Sequence, residues 1–272
     1  MRRLLFIVFL CIAADVSAQF RVMTYNIRYD NPGDGVNQWK QRKQKVFDLL
    51  KKYDPDVLGV QEALEHQLTE IVNTGGYSYT GVGRDDGKTQ GEFSAIIYKK
   101  EKFDLIDGNT FWLSETPQVP GSKSWDAAIT RIGSWAIFRD KVSGRKFLVL
   151  NTHFDHIGKE ARKNSADILK QKASELALEI PVIITGDLNC TRGEEPFAIL
   201  TNGEIIELID PASSPQGTFC SFEVNGIECR AIDYILVSNE WRADQYKVID
   251  DNDGKYYPSD HLPVMITLSF TD

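Results

Sequence analysis

Eight short runs rich in Val, Ile, Leu and aromatic residues dominate this chain: Phe20–Tyr29, Asp56–Gln61, Phe93–Tyr98, Ser134–Phe138, Lys146–Thr152, Val182–Thr185, Ile232–Val237 and Pro263–Phe270. Runs of that length and composition read as strands. Helical periodicity appears in at least two places. Val46, Leu49, Leu50 and Tyr53 share one face with Lys and Arg on the other, and Ala161 to Leu178 repeats the pattern through Ile168, Leu169, Ala173 and Leu176. Asp54-Pro55 stops the first helix and Pro181 follows the second. The order is no regular βαβ alternation, and residues 93–152 and 218–270 are nearly all strand and loop. The pattern predicts an α/β fold of mixed sheets with helices packed outside. No linker or repeat divides residues 19–272, so one domain is expected.

The first eighteen residues stand apart. Arg2 and Arg3 precede an apolar run from Leu4 to Ala14, and Val16-Ser17-Ala18 supplies a small-residue cleavage site. This reads as a secretory signal, which predicts an exported protein, periplasmic or secreted. The run is too short to anchor in a bilayer, and no other stretch is long enough to span one. Cleavage removes two arginines and Asp15, taking the net charge from −8 to −9. So acidic a surface lacks the general attraction for phosphate backbones on which stable DNA binding rests, and it favours a small or short substrate. Cys190, Cys220 and Cys229 remain, an odd number without zinc-site spacing. Cys220 and Cys229 flank Asn225-Gly226, a hairpin turn signal that would set Cys229 opposite Phe222 with Cys220 diagonal to it. A disulfide and two reduced thiols both fit.

Chemistry enters through the polar residues at the strand ends. Asn26 ends Val22–Tyr25, Glu62 ends Val57–Gln61, His153 ends Phe147–Thr152, and Asp187 and Asn189 end Val182–Gly186. Asp233 and the pair Asp260-His261 instead precede their strands. If those last two strands run antiparallel to the others, all eight residues gather at one rim. Such a rim suits metal-assisted phosphoryl chemistry. Carboxylates and amide oxygens are the hard ligands of Mg2+ or Mn2+, and clustered carboxylates need a cation to hold them together. A histidine beside an aspartate is fixed in one tautomer and carries a proton near neutral pH.

Tyr25-Asn26-Ile27, Gln61-Glu62, Asn151-Thr152-His153, Gly186-Asp187-Leu188-Asn189, Ile232-Asp233-Tyr234 and Ser259-Asp260-His261-Leu262-Pro263-Val264 resemble, in order, the motifs of the endonuclease/exonuclease/phosphatase superfamily. Deoxyribonuclease I, inositol-polyphosphate 5-phosphatases, neutral sphingomyelinases and nocturnin-type deadenylases belong to it, and Phe20–Tyr29 and the Trp-rich loop look closest to the nocturnin branch. The resemblance implies a four-layer α/β sandwich, two mixed sheets face to face with helices outside, and a site at one rim. By motif position it implies Glu62 as principal metal ligand, assisted by Asn26 and Asp260, with Mg2+ or Mn2+ as the cofactor. Asp187 would activate the water, Asn189 would hold the phosphate, and His153 would contact a phosphoryl oxygen. His261, paired with Asp233, would stabilise the transition state or donate a proton.

The chain departs from the family pattern at Arg28, which stands where many members carry a second acidic residue; Arg28 is a candidate substrate-phosphate contact instead. The inositol-phosphatase signature is missing, with Cys229-Arg230-Ala231-Ile232 in its place. Further substrate-contact candidates are Asp155 and His156 after the His153 strand, Arg131 as a phosphate clamp, and Trp125, which with Trp112 could stack on a base. The expected partner is a phosphate-ester substrate: a nucleotide, an oligonucleotide or another soluble phosphate. Hydrolysis of such an ester, as a phosphodiesterase or a phosphomonoesterase, leads, and a nocturnin-like 3'-5' exonuclease activity is one form it could take. A sphingomyelinase-like lipid activity and an inactive phosphate-binding module are the alternatives.

Overall fold

The computed structural model describes residues 19–214 and 216–271, so the expected export signal at residues 1–18 lies outside the described residues. The strands are β1 (Gln19–Asn26), β2 (Val57–Ala63), β3 (Tyr77–Thr80), β4 (Phe93–Lys99), β5 (Phe103–Trp112), β6 (Ile132–Asp140), β7 (Lys146–His153), β8 (Val182–Asp187), β9 (Asp233–Val237), β10 (Trp241–Val248) and β11 (Val264–Phe270). The helices are α1 (Trp39–Tyr53), α2 (Glu65–Val72), α3 (Lys159–Ala177) and α4 (Glu195–Thr201). All eight expected strands are present. The three that sequence did not announce, β3, β5 and β10, are each at a sheet edge. One side of an edge strand faces water, so β5 and β10 carry exposed polar residues that dilute the apolar signal.

A six-stranded sheet in the order β10-β11-β1-β2-β4-β3 faces a five-stranded sheet in the order β5-β6-β7-β8-β9. Between them lies an aromatic core that includes Phe20, Phe103, Phe138, Phe147, Trp241 and Phe270. The outer face of the first sheet packs on α1 and α2 through residues such as Met23, Val46, Leu50 and Leu68. The second sheet packs on α3 and α4 through Leu150, Leu169, Ala173 and Leu200. The result is the expected four-layer sandwich of two mixed sheets. Among the described residues no helix is long and apolar enough to cross a membrane.

Strand direction decides where the functional residues meet. β1 runs parallel to β2, and β7 runs parallel to β8. β11 is antiparallel to β1, and β9 is antiparallel to β8. The ends of β1, β2, β7 and β8 therefore share an edge with the starts of β9 and β11. In register, His153 lies opposite Asp187 and Asp187 opposite Asp233.

Two local readings need correction. Arg42, placed by periodicity on the polar face of α1, is 1% exposed. Its guanidinium donates to the carbonyls of Ile27, Arg28 and Pro258, which explains why a charged residue is buried there. Phe222 does not face Cys229; Phe219 bridges to Arg230 instead, while the Phe222 carbonyl accepts the Tyr257 N–H. Cys220 and Cys229 are joined in a disulfide, and Cys190 is free and buried.

Candidate active site

Beneath the rim, the two sheets are stitched together by a buried polar layer. Asn151 donates from Nδ2 to the carbonyls of Val60 and Ala95, both at 2.9 Å, across the sandwich. Its Oδ1 accepts from Gln61 Nε2 at 2.6 Å and from Thr185 Oγ1 at 3.0 Å. Gln61 also reaches Thr24 Oγ1 at 3.0 Å. Each member sits one or two residues before a rim residue: Thr24 before Asn26, Gln61 before Glu62, Asn151 before His153, Thr185 before Asp187. The layer fixes the height and spacing of the strand ends, so the rim side chains project from a rigid floor. Gly59 belongs to this floor by omission, because a Cβ there would run into Thr185 Oγ1 and lie 2.6 Å from Asn151 Oδ1.

Above the floor opens a cleft of about 510 Å3. Its lining includes Arg28, Glu62, Arg131, His153, His156, Asp187, Asn189, Asp260 and His261. Asn26 and Asp233 are buried behind that lining. Asn26 Nδ2 lies 3.1 Å from Glu62 Oε1, 3.0 Å from Asp187 Oδ2 and 3.4 Å from His261 Nε2, so one amide joins both sheets' site residues. His261 Nδ1 is 2.8 Å from Asp233 Oδ2, and its Nε2 faces Asp187 Oδ2 at 3.7 Å. Asn189 Nδ2 meets His153 Nε2 at 3.1 Å and donates to the Phe154 carbonyl at 3.0 Å, while its backbone N–H donates to Asp187 Oδ1. Arg28, Glu62 and Asn189 all have positive φ, at 56°, 63° and 47°. Non-glycine residues in that region are uncommon, and three around one cleft show backbone held by its surroundings in the service of side-chain placement.

The electrostatics separate the titratable groups. Burial and the Asp233 carboxylate push the Asp187 pKa up to about 7. Burial alone would lower His261, but Asp233 and Asp187 outweigh it and raise its pKa to about 10. Burial, reinforced by the Arg131 charge, holds His153 well below its ordinary value, so this ring is neutral. Asp260 is raised by burial, with Glu62 adding to the effect. The rim therefore holds one protonated imidazole, one neutral imidazole and a carboxylate that titrates near neutrality.

By their chemistry Glu62 and Asp260, which line the same cleft, are residues that could hold a divalent cation. Glu62, Asp187 and Asp260 are three carboxylates in one cleft. Arg28 approaches two of them only at 3.6 and 3.9 Å, while its fork is engaged by Asp34. That excess of hard, negative oxygen suits Mg2+ or Mn2+. Asp187, Asp233 and His261 bring ligand atoms within 4.8 Å of one another. A cation there would have to break the His261–Asp233 hydrogen bond, so we read that group as a proton-holding chain. Asn26 turns its amide nitrogen to the carboxylates, and its Oδ1 accepts the Arg28 backbone N–H at 3.0 Å. In this orientation it is a donor, and only a half-turn of the amide would make it the ligand expected of it.

Three expected substrate contacts are placed elsewhere. Asp155 is 1% exposed, and its carboxylate accepts the backbone N–H groups of Ala128, Ile129, Ile157 and Gly158. It ties the 128–129 loop to the start of α3 and has no face left for substrate. Trp125 is partly exposed but lies outside the cleft lining. Trp112 is buried, its indole N–H donating to the Arg84 carbonyl at 2.7 Å. Arg131 and His156 do line the cleft, 3.3 Å apart through Nη2 and Nδ1. Sequence reasoning missed Arg84, Glu92, Phe219 and Arg230, which also line it. They stand in irregular, glycine-containing loops where no periodicity or motif marks them.

Comparison with known proteins bears on this geometry. The sequence profile described as the Endonuclease/Exonuclease/phosphatase family matches residues 23–261. A solved endonuclease/exonuclease/phosphatase family protein from Bacteroides thetaiotaomicron is 38% identical with a TM-score of 0.88, covering 94% of this chain and 99% of that one. A mannosyl-6-phosphatase of the same organism is 39% identical with a TM-score of 0.86, covering 92% of this chain and 100% of that one. Nocturnin of Rattus norvegicus is 25% identical over 93% of this chain and 66% of its own length.

Proposed function

The chain belongs to the endonuclease/exonuclease/phosphatase family, and from that premise we propose that it is a divalent-metal-dependent hydrolase of a small, soluble phosphate ester. The observation that carries the reading is the chain Asp187–His261–Asp233 set in one cleft with Glu62 and Asp260. It combines a base near neutrality, a held proton and a cation-binding pair within reach of one phosphoryl group.

Each residue has a chemical task in this reading. Asp187 accepts the proton of the attacking water, a role for which a pKa of about 7 is matched to neutral conditions. Asp233 fixes the His261 ring through Nδ1, leaving Nε2 to donate to a phosphoryl or leaving oxygen. Asn189 and neutral His153, by exchanging the Nδ2–Nε2 contact they make with each other for a phosphoryl oxygen, would bind it without adding charge. Arg131, buried and with Nε lacking a hydrogen-bond partner, supplies a cation to the substrate's negative charge. Glu62 and Asp260 would hold the Mg2+ or Mn2+, which when bound neutralises charge on the phosphoryl oxygens.

Two substrate classes compete. The 39% identity to a mannosyl-6-phosphatase over the whole of that chain favours a sugar phosphomonoester. The more distant likeness to Nocturnin supports a nucleotide or oligonucleotide. The export signal read from residues 1–18 and the Cys220–Cys229 disulfide both support action outside the cytosol. The test is a panel of mannose 6-phosphate, nucleotides, oligonucleotides, bis-p-nitrophenyl phosphate and sphingomyelin with Mg2+ and Mn2+. Metal-dependent turnover of one class is expected, with Glu62→Gln weakening metal activation. Silence on all members, or binding without turnover, would favour an inactive phosphate-binding module and overturn the reading.

A further inference from the structure

The proposed chemistry makes no use of the segment from Thr218 to Arg230, yet that segment grips the His261 pair from two sides. Phe219 and Arg230 line the cleft and face each other, with Phe219 N–H donating to Arg230 O at 2.9 Å and Arg230 N–H to Phe219 O at 3.0 Å. Cys220 and Cys229, the neighbours immediately beyond that pair, are bonded. Phe219 also bridges to His261, and their rings lie 5.0 Å apart, tilted by 55°. Cys220 N–H donates to the Asp260 carbonyl at 3.0 Å. On the Asp233 side, Thr218 Oγ1 accepts the N–H groups of Ile232 and Asp233, both at 3.1 Å.

Residues 221–228 form no helix or strand, and among them only Val224 packs on the small apolar cluster of Cys220, Tyr257 and Leu262. The outgoing arm is tied to residues 255–257, with Val224 N–H donating to the Lys255 carbonyl at 3.0 Å and Tyr257 N–H to the Phe222 carbonyl at 2.8 Å, whereas the returning arm is fastened to it beyond the Phe219–Arg230 pair by the disulfide. Close fit there is required: a Cβ on Gly217 would overlap the Cys229 side chain. Cys220 is buried and Cys229 is exposed, so a small reductant can reach the bond from one side.

We propose that the Cys220–Cys229 disulfide is a positioning element of the cleft, holding Phe219 on the His261 ring and Arg230 on the wall, so that reduction lowers turnover without unfolding the domain. Its kinetic consequence rests on the hydrolase reading; its structural consequence does not. A dithiol such as dithiothreitol breaks the sulfur–sulfur bond, delivers two electrons and two protons to make two thiols, and closes its own disulfide.

Histidine-ring NMR and steady-state kinetics on the oxidised and reduced protein provide the test. On reduction the His261 ring signal should move, because the Phe219 ring beside it shifts, while His66 on α2 stays in place. With Mg2+ and the best substrate of the panel, kcat/KM should fall roughly ten- to a hundredfold, the range a small misplacement of a catalytic group produces, and recover on reoxidation. Cys220→Ser/Cys229→Ser should match the reduced protein and ignore dithiothreitol. Should that variant not fold, Phe219→Leu keeps the disulfide, removes the ring, and should reproduce both the shift and the kinetic loss. A His261 signal indifferent to reduction, or to Phe219→Leu, overturns the proposal whether or not any substrate is hydrolysed. A moving His261 signal in a protein that hydrolyses nothing supports the positioning role and sinks the hydrolase reading instead.

Discussion

Replacing Asn151 by alanine tests whether the buried polar layer is what sets the rim. Asn151 is fully buried and uses its whole amide, donating twice to the opposite sheet and accepting from Gln61 and Thr185. The Val60 and Ala95 carbonyls are partners in the β2–β4 ladder, next to the point where its register shifts. In the variant these carbonyls lose the side chain that meets them from across the sandwich. Gln61 keeps its bond to Thr24, and Thr185 keeps its bond to the Leu150 carbonyl. At about 1 kcal/mol net for each of the four buried hydrogen bonds, the loss is about 4 kcal/mol. That is a large part of the ~5–15 kcal/mol by which domains of this kind are stable.

Urea unfolding followed by circular dichroism reads the effect directly. With a slope of about 3 kcal/mol per molar for a domain of this size, the midpoint should fall by roughly 1–1.5 M at unchanged slope. Turnover at a temperature where the variant is folded should fall as well, since His153 and Glu62 lose their common support. A midpoint within about 0.3 M of the wild type would refute the reasoning, because ~1 kcal/mol or less is what a peripheral substitution costs.

Other consequences are as definite. Gly59→Ala should destabilise by about 1–3 kcal/mol, the usual cost of overpacking a core, because the new methyl meets Thr185 and Asn151 inside the same layer; thermal melting would show it, and an unaltered Tm would contradict it. Asp233→Asn should lower kcat by about 10^3-fold while leaving Mg2+ affinity nearly unchanged, since the His261 ring loses the carboxylate that orients it and holds its proton; equal loss of both in titration and kinetics would undo the assignment. For Asp155, burial would raise the pKa, but the Gly158, Ile157, Ile129 and Ala128 N–H donors hold it below the usual carboxylate range. Its contribution to stability is thus present above the unfolded-state pKa of about 3.9 and lost as pH falls through the lower folded value. The stability difference between wild type and Asp155→Asn should therefore shrink on acidification below about pH 4, and a difference that is flat with pH would refute it.

Much of this architecture was legible because strands that are buried on both faces leave unmistakable apolar runs, and β1, β2, β4, β7, β8 and β11 are all of that kind. Polar residues at the ends of such runs stand out against them, which is how Glu62, His153, Asp187 and His261 could be found before any geometry was known. The converse explains the misses. Edge strands β5 and β10 look like loops, and Arg42 looks like surface until the carbonyls it serves are brought to it by chain segments 14 and 216 residues away. Asp155 looked like a substrate contact for the same reason that Asp187 did, a carboxylate just beyond a strand. Only the positions of four N–H groups distinguish the two.

A buried carboxylate saturated by backbone donors is electrostatically finished, so its low pKa marks structure. Asp187 accepts one backbone N–H and one side-chain amide, yet has a second carboxylate, Asp233, as its register partner on β9, with the His261 ring in contact with both. Its raised pKa records burial first, and then the Asp233 carboxylate, which its own donors do not outweigh. Folding alone would remove such charge by substitution, since burying like charges costs stability. A protein that keeps Asp187, Asp233 and Asp260 around one imidazole gives up stability at its rim to hold an ensemble of charges. On the proposed reading, a divalent cation would supply the positive charge that this cluster of carboxylates lacks.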